Sequence, residues 1–275
     1  MILIVASSKD IASLNIKKRI LDHYDFSKTS ESFQGKSIQV ARVNDRTIKL
    51  VTLRIESTYA QNITDFFPKA ALILFISRHS SASGTPTLST HTPGNLGEAE
   101  LGGISRKVSI SPANTMRDVL KTMKYQKQEL QLDYDVSYEC THHGPSLNTP
   151  TLFAELGSST KQWNDKKAAE AVAHAAMEAI SKFGTFPVKA VLGVGGPHYN
   201  RKFTKLALDD EFAFGHIIPK YAIPAISEVI LEECIERTLE GAELAVLDWK
   251  GIKSEHKPEL VEMLEHIGIP YMKVK

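Results

Sequence analysis

Apolar positions fall along this chain in two kinds of run, short and unbroken or spaced at helical intervals, and their alternation predicts an α/β protein. Residues 1–6 form an unbroken strand-like run, and a helix is expected over about 11–21. Residues 23–36 are polar and read as irregular. Residues 38–43 and 47–53 alternate apolar and polar positions around Asn44-Asp45, which predicts a hairpin. A short helix near 58–66 leads into 70–76, a continuous apolar run expected of a central strand. The pattern then breaks. Residues 77–103 are dense in Ser, Thr, Gly and Pro and carry His79 and His91. A loop of that length between core elements is either disordered or functional.

Regular structure resumes at 104–110. Ser111 as N-cap, with Pro112 at the first helical position, opens a helix whose apolar stripe is Met116, Val119, Leu120 and Met123. A strand over 132–139 runs into Cys140-Thr141-His142-His143-Gly144-Pro145, and another follows at 151–156. The helix over 165–183 gathers Val172, Ala176, Ala179 and Phe183 on one face. Residues 188–194 read as a parallel-type strand ending in Gly193-Val194-Gly195-Gly196-Pro197-His198. A short basic helix and a strand over 212–218 with His216 come next. Then follow a helix capped by Ser227 that ends before Gly241, a strand over 243–249, and a last helix from Ser254 to Gly268. Alternation to the end predicts a three-layer α/β/α sandwich on a mixed, largely parallel sheet, as a single domain over 1–275.

Composition narrows the function classes. A chain of 275 residues, 42% hydrophobic and 24% charged, buries a core without staples. Thirty-three basic against 32 acidic residues leave a net charge of +1, so overall charge does not announce a nucleic-acid binder. Basic clusters are local: Lys17-Lys18-Arg19; Arg117, Lys121, Lys124 and Lys127 at helical spacing; and Arg201, Lys202 and Lys205 after a glycine-rich loop. The first two read as solvated helix faces, while the third stands out by its position. Cys140 and Cys234 give no disulfide framework and read as buried thiols. The first residues lack the length and basic flank of a signal peptide, and no apolar run nears the ~20 residues that span a bilayer. A cytoplasmic protein without membrane contact is expected, and a monomer, since no coiled coil or unusually apolar helix appears.

Candidate chemistry collects at strand ends, where ligands bind in open α/β sheets. Ser77-Arg78-His79, Thr141-His142-His143-Gly144-Pro145 and Gly195-Gly196-Pro197-His198 each follow an apolar strand. His79, His142, His143 and His198 are therefore the candidates for catalysis. Neutral imidazoles and carboxylates bind zinc, and Glu139, Glu155 and Glu98 stand in or beside the same loops. Zinc-activated water attacks an ester at neutral pH. No H-E-x-x-H or paired-cysteine signature is present, so a metal-free histidine base with loop amides around an oxyanion competes. Gly193-x-Gly195-Gly196 matches a dinucleotide fingerprint only in part, because Pro197 follows and the third glycine is missing. Its glycines better suit close approach to a phosphate or terminal ribose. There is no G-x-S-x-G elbow or Walker loop. His23, His174, His256 and His266 read as bystanders, and His216 is intermediate.

Four stretches carry a resemblance. Ser77-Arg78-His79-Ser80-Ser81, Thr90-His91-Thr92-Pro93-Gly94-Asn95, Glu139-Cys140-Thr141-His142-His143-Gly144-Pro145 and Gly193-Val194-Gly195-Gly196-Pro197-His198-Tyr199 together resemble the D-aminoacyl-tRNA deacylase family of archaeal and plant type. The order matches over essentially the whole chain. The resemblance implies hydrolysis of the ester joining a D-amino acid to the tRNA 3′ end, two zinc ions per subunit, and a fold like that of peptidyl-tRNA hydrolases and nucleoside phosphorylases. On this reading the metal candidates are His79, His91, Glu139, His142, His143, Glu155 and His198. Arg78, Gly195, Gly196, Arg201, Lys202 and Lys205 would meet the acceptor end. The alternatives are a nucleoside phosphorylase or zinc amidohydrolase on a similar scaffold, and a non-catalytic module that binds tRNA ends.

Overall fold

A computed structural model describes residues 1–274. The chain runs β1 (Ile2–Ser7), α1 (Ile11–His23), β2 (Ser27–Phe33), β3 (Lys36–Val43), β4 (Arg46–Leu53), α2 (Ile63–Phe66), β5 (Leu72–Arg78), β6 (Thr87–His91), β7 (Gly94–Asn95) and β8 (Lys107–Val108). It continues through α3 (Ala113–Glu129), β9 (Asp135–Tyr138), β10 (Thr151–Gly157), α4 (Thr160–Trp163), α5 (Lys166–Lys182), β11 (Ala190–Val194), α6 (Arg201–Leu208) and β12 (Ala213–Ile218). The last elements are α7 (Glu228–Glu236), β13 (Ala245–Asp248), α8 (Lys257–His266) and β14 (Tyr271–Val274).

The α/β class and the mixed, parallel-rich sheet are as expected. Eight strands lie in the order β2-β3-β4-β1-β5-β10-β6-β9. The run β4–β1–β5–β10 is parallel, as is β6–β9, while β2–β3–β4 and β10–β6 are antiparallel. The strands β1 and β5 are apolar on both faces and take the centre, where neither face meets water. The later alternation of strands and helices builds a second sheet, β12-β11-β13-β14, which is wholly parallel.

Side chains alternate across each strand, so the two faces of the large sheet feed two cores. Ile4, Leu74 and Ala154 face α1, α3 and α5. The helix α3 also packs on β12, so this apolar cluster continues into Phe214 and Val246 of the second sheet. Leu3, Phe75 and Phe153 face the other way, towards Ile63, Phe67 and Leu147. The far face of the second sheet closes on α7 and α8 through Leu192, Leu247, Leu231 and Leu264. No helix among the described residues is long and apolar enough to cross a membrane.

Several expectations need correction. Residues 23–36 are not irregular, since β2 pairs there with β3 as an edge strand. The stretch 77–103 is not one loop, because β6 is buried within it between β10 and β9. Ser111 does not cap α3. Its hydroxyl is engaged by Thr92, and Glu240, far along the chain, accepts from the N–H groups of Ala113 (3.0 Å) and Asn114 (2.8 Å). Ser227 precedes α7 without a side-chain cap bond, and Ser254 begins a short 3-10 turn ahead of α8. The hairpin at Asn44-Asp45 forms as expected, both residues having positive φ (46° and 61°), as a tight two-residue turn requires.

Candidate active site

Strand register assembles the centre. On β10, Phe153 lies opposite His91 of β6, and Glu155 sits between Ser89 of β6 and Ser77 of β5. Period-2 alternation sends Phe153 and Glu155 to one face and Ala154 and Leu156 to the core. The Ser77 hydroxyl donates to Glu155 Oε1 (2.7 Å). His79 follows the end of β5, and Gly157 gives it room: a Cβ there would lie 2.5 Å from His79 Cδ2. Glu139, His142 and His143 come from the loop after β9, and His198 from the loop after β11. These loops are clamped together. The Cys140 N–H donates to the His198 carbonyl (2.9 Å), Thr141 N–H to Ile217 O (2.9 Å) and Gly94 N–H to His143 O (2.7 Å).

Two kinds of histidine result. His79 Nδ1 lies 3.2 Å from Glu139 and 3.7 Å from Glu155, and its Nε2 is 2.8 Å from Tyr199 Oη. His198 Nε2 meets Glu139 Oε2 at 2.9 Å, while its Nδ1 faces Cys140 Sγ (3.1 Å) and Tyr221 Oη (3.0 Å). Burial opposes charge on both rings. At His79 the two carboxylates outweigh it, and at His198 Cys140 and Glu139 do, lifting each to about 10. Burial likewise opposes charge on Glu139, yet His198 and His79 hold it well below the usual carboxylate range.

His142 and His143 are the opposite case. Burial, then the neighbouring histidines, push both down, His143 to about 4. Their Nδ1 atoms lie 2.8 Å and 2.7 Å from the carbonyls of Cys140 and Gly144. A carbonyl only accepts, so each ring carries its proton on Nδ1 and keeps a lone pair on Nε2. His91 is buried with neither ring nitrogen hydrogen-bonded. Its ring stacks on Phe153 and faces His142 and His143 at centroid distances of 4.3 Å and 4.9 Å.

This donor set fits a metal. Donor atoms of His91, His142 and His143 lie within 4.8 Å of one another, as do those of His79, Glu139 and Glu155, and of Cys140, His142 and His198. Imidazole lone pairs gathered in a buried space, with an orphaned ring among them, are costly without a cation. Imidazole, carboxylate and thiolate are zinc's usual ligands. The centre lines a cavity of about 560 Å³ whose wall also includes Asp10, Glu56, Tyr59 and Leu101.

All seven residues expected as metal ligands thus gather in one place. Arg78 stands at the cavity mouth, its guanidinium paired with Glu56 (3.0 Å) and its N–H donating to Asp10 (2.7 Å). Other expected substrate contacts lie elsewhere. Gly195 and Gly196, at φ 103° and 76°, turn the chain over Asp248, Ile252 and Asn200, and a Cβ at Gly196 would lie 2.2 Å from Asn200 Nδ2. Lys202 is held by Asp248, so its charge is already engaged. Arg201 is exposed, 3.7 Å from Asp135. Glu98 is an exposed partner of Ser105, outside the cluster. His23 and His174 share Glu170 on the helices, and His216 is buried against Thr141.

Sequence reasoning missed Tyr199, Tyr221 and Cys140. Tyr199 ends one of the recognised stretches and Cys140 lies inside another, so position was the available signal. Nothing near Tyr221 marked it.

A sequence model described as D-aminoacyl-tRNA deacylase matches residues 66–272, a span that holds the whole histidine and glutamate cluster. A D-aminoacyl-tRNA deacylase of Pyrococcus furiosus is 36% identical over 277 residues, covering 98% of each chain. One from Methanocaldococcus jannaschii is 35% identical over 283 residues, covering 99% of each. Among solved structures, AF0625, a conserved protein of unknown function, matches with a TM-score of 0.87 at 30% identity, over 99% of this chain and 95% of its own. By the family match and the near-full-length relatives, the chain belongs to the D-aminoacyl-tRNA deacylase family.

Proposed function

We propose that the buried histidine and glutamate centre hydrolyses the ester between a D-amino acid and the 3′ end of tRNA, releasing free D-amino acid and free tRNA. The observation that carries this is the convergence of four imidazoles, His79, His142, His143 and His198, and two carboxylates, Glu139 and Glu155, in one cavity, with His91 beside them and all inside the span that matches the family. Such chemistry on charged tRNA belongs to the cytoplasm.

An aminoacyl ester is activated, so the site must position water, remove its proton and stabilise the departing charge. Glu155 is the better placed base. Both glutamates line the cavity, but Glu155 has its nearest histidine, His79, at 3.7 Å, whereas Glu139 is engaged more closely by His79 (3.2 Å) and His198 (2.9 Å). With His79 Nδ1 facing the carboxylates, Nε2–H donates to Tyr199 Oη. The tyrosine O–H is then free to donate to the carbonyl oxygen or to the leaving ribose oxygen.

His91, His142 and His143 would hold one zinc ion and His79, Glu139 and Glu155 a second, the zinc supplying Lewis acidity at the ester and a lowered pKa for water when bound. Enantiomer choice follows from the cavity wall beyond the reactive residues. Glu56, whose partly exposed pair with Arg78 can exchange, suits an α-ammonium, and the exposed Tyr59 and Leu101 suit an apolar side chain. Fixing both groups leaves the ester on the reactive residues for one hand only.

Variants test this reading. Glu155→Gln and His91→Gln are each expected to lower D-tyrosine release from D-tyrosyl-tRNA at least about a hundredfold with the fold retained by circular dichroism. His174→Gln, on the outer helices, is expected to leave release unchanged. Wild-type rates in both centre variants would refute the assignment.

A further inference from the structure

A second and larger cavity, of about 980 Å³, opens beside the reaction centre along the β9 edge of the large sheet. His79 and Tyr199 line both spaces, so one begins where the other ends. Their linings differ in charge. Asp10, Glu56, Glu139 and Glu155 line the inner cavity with Arg78, whereas the groove carries Lys121, Lys124 and Lys127 of α3 and Arg201 and Lys205 of α6 against two carboxylates, Asp135 and Asp209.

The spacing of Arg117, Lys121, Lys124 and Lys127 reads as one solvated face, but the fold divides it. Arg117 and Lys121 are committed to Asp210, while among the described residues Lys124 and Lys127 enter no ion pair. Arg201 and Lys205 have only solvent-exposed partners, 3.7 Å and 2.9 Å away, and such pairs exchange at little cost. Tyr125, 55% exposed, presents its ring in the same wall. Cations on two helices that line one groove, with an exposed aromatic on α3 beside them, suit a single-stranded polyanion whose bases stack.

We infer that this groove is the track of the single-stranded 3′ tail of tRNA. Lys124, Lys127, Arg201 and Lys205 meet its phosphates, Tyr125 stacks on a base, and the His79–Tyr199 pair marks where the terminal ribose reaches the reaction centre. The inference rests on the proposed activity for the identity of the strand, and on the groove alone for its path. It moves the main nucleic-acid contact from the Gly195-Gly196 turn to α3.

The test is the binding of a labelled single-stranded RNA ending in CCA, by fluorescence anisotropy across a salt series. It compares wild type, Lys124→Gln with Lys127→Gln, and Lys28→Gln with Lys36→Gln. The last pair removes the same charge from exposed positions on β2 and β3, at the opposite side of the sheet. The groove variant is expected to bind about tenfold more weakly, with its logarithmic salt slope shallower by about 1.4, the value for two lost single-strand phosphate contacts. The β2–β3 variant is expected to match wild type. Because binding needs no turnover, groove-dependent binding upholds the track even if no deacylation is found. Equal affinity and slope in all three proteins, or an equal loss in both variants, overturns it even if D-tyrosyl-tRNA is hydrolysed.

Discussion

Gly157 leaves the space that His79 fills, and a methyl group there would stand 2.5 Å from the ring. Gly157→Ala must therefore push His79 away from Glu139, Glu155 and Tyr199. Displacements of this size cost about a hundredfold in turnover, so kcat/KM is expected to fall by that order while the urea midpoint shifts far less. Unchanged kinetics would mean that the position of His79 is not critical. At this scale the gathering of the seven metal candidates was legible, because histidine and glutamate recur at the ends of strands and in the loops that follow them. Tyr199 and Cys140 were not, since a lone tyrosine or cysteine is usually core. Gly195 and Gly196 have a structural reason that sequence does not show. Sequence reveals that a glycine can adopt positive φ, but not that Asp248 and Asn200 occupy the space over which it turns.

Among the elements, α3 shows how a local signal is overridden. Ser111-Pro112 has the sequence of a helix start, yet the end of α3 is satisfied by Glu240 on two N–H groups. Losing a helix cap typically costs about 1 kcal/mol. Glu240→Ala is expected to destabilise by that amount in urea titration, and a change near zero would show the cap to be idle. The strand β6 was illegible on related grounds. Strand signals depend on apolar residues, but Thr87, Ser89 and His91 are buried as polar groups because one face of this strand belongs to the site, and Thr90 is polar even on the core face. Thr90 Oγ1 donates to the Phe153 carbonyl at 2.7 Å, so its burial is hydrogen-bonded.

Across the whole molecule, alternation of strands and helices was enough to give the class. It could not assign strands to sheets, because the pairing partners of β11 to β14 are set by contacts distant in sequence. One such contact gives a pH dependence. His216 of β12 lies buried between Thr141 (3.1 Å) and the Arg237 carbonyl (3.4 Å), and burial pushes it down from 6.5 to about 4. As pH falls below 6.5 the unfolded chain takes up this proton before the folded one does. Folding stability is therefore present above that pH and is lost on the way down to about 4, by up to about 3 kcal/mol. His216→Gln is expected to flatten this part of the stability profile, measured as urea midpoints across the range. An unaltered slope would show that His216 is not responsible.

The reaction itself admits one direct measurement: release of D- and L-tyrosine from tyrosyl-tRNA side by side, with the protein as purified, after chelation, and after zinc is returned. Release selective for the D-isomer, abolished by chelation and restored by zinc, is the expected result. Equal hydrolysis of the two enantiomers, or D-selective release undiminished after verified metal removal, would contradict a zinc-dependent, D-selective centre built on His91, His142, His143, Glu139 and Glu155.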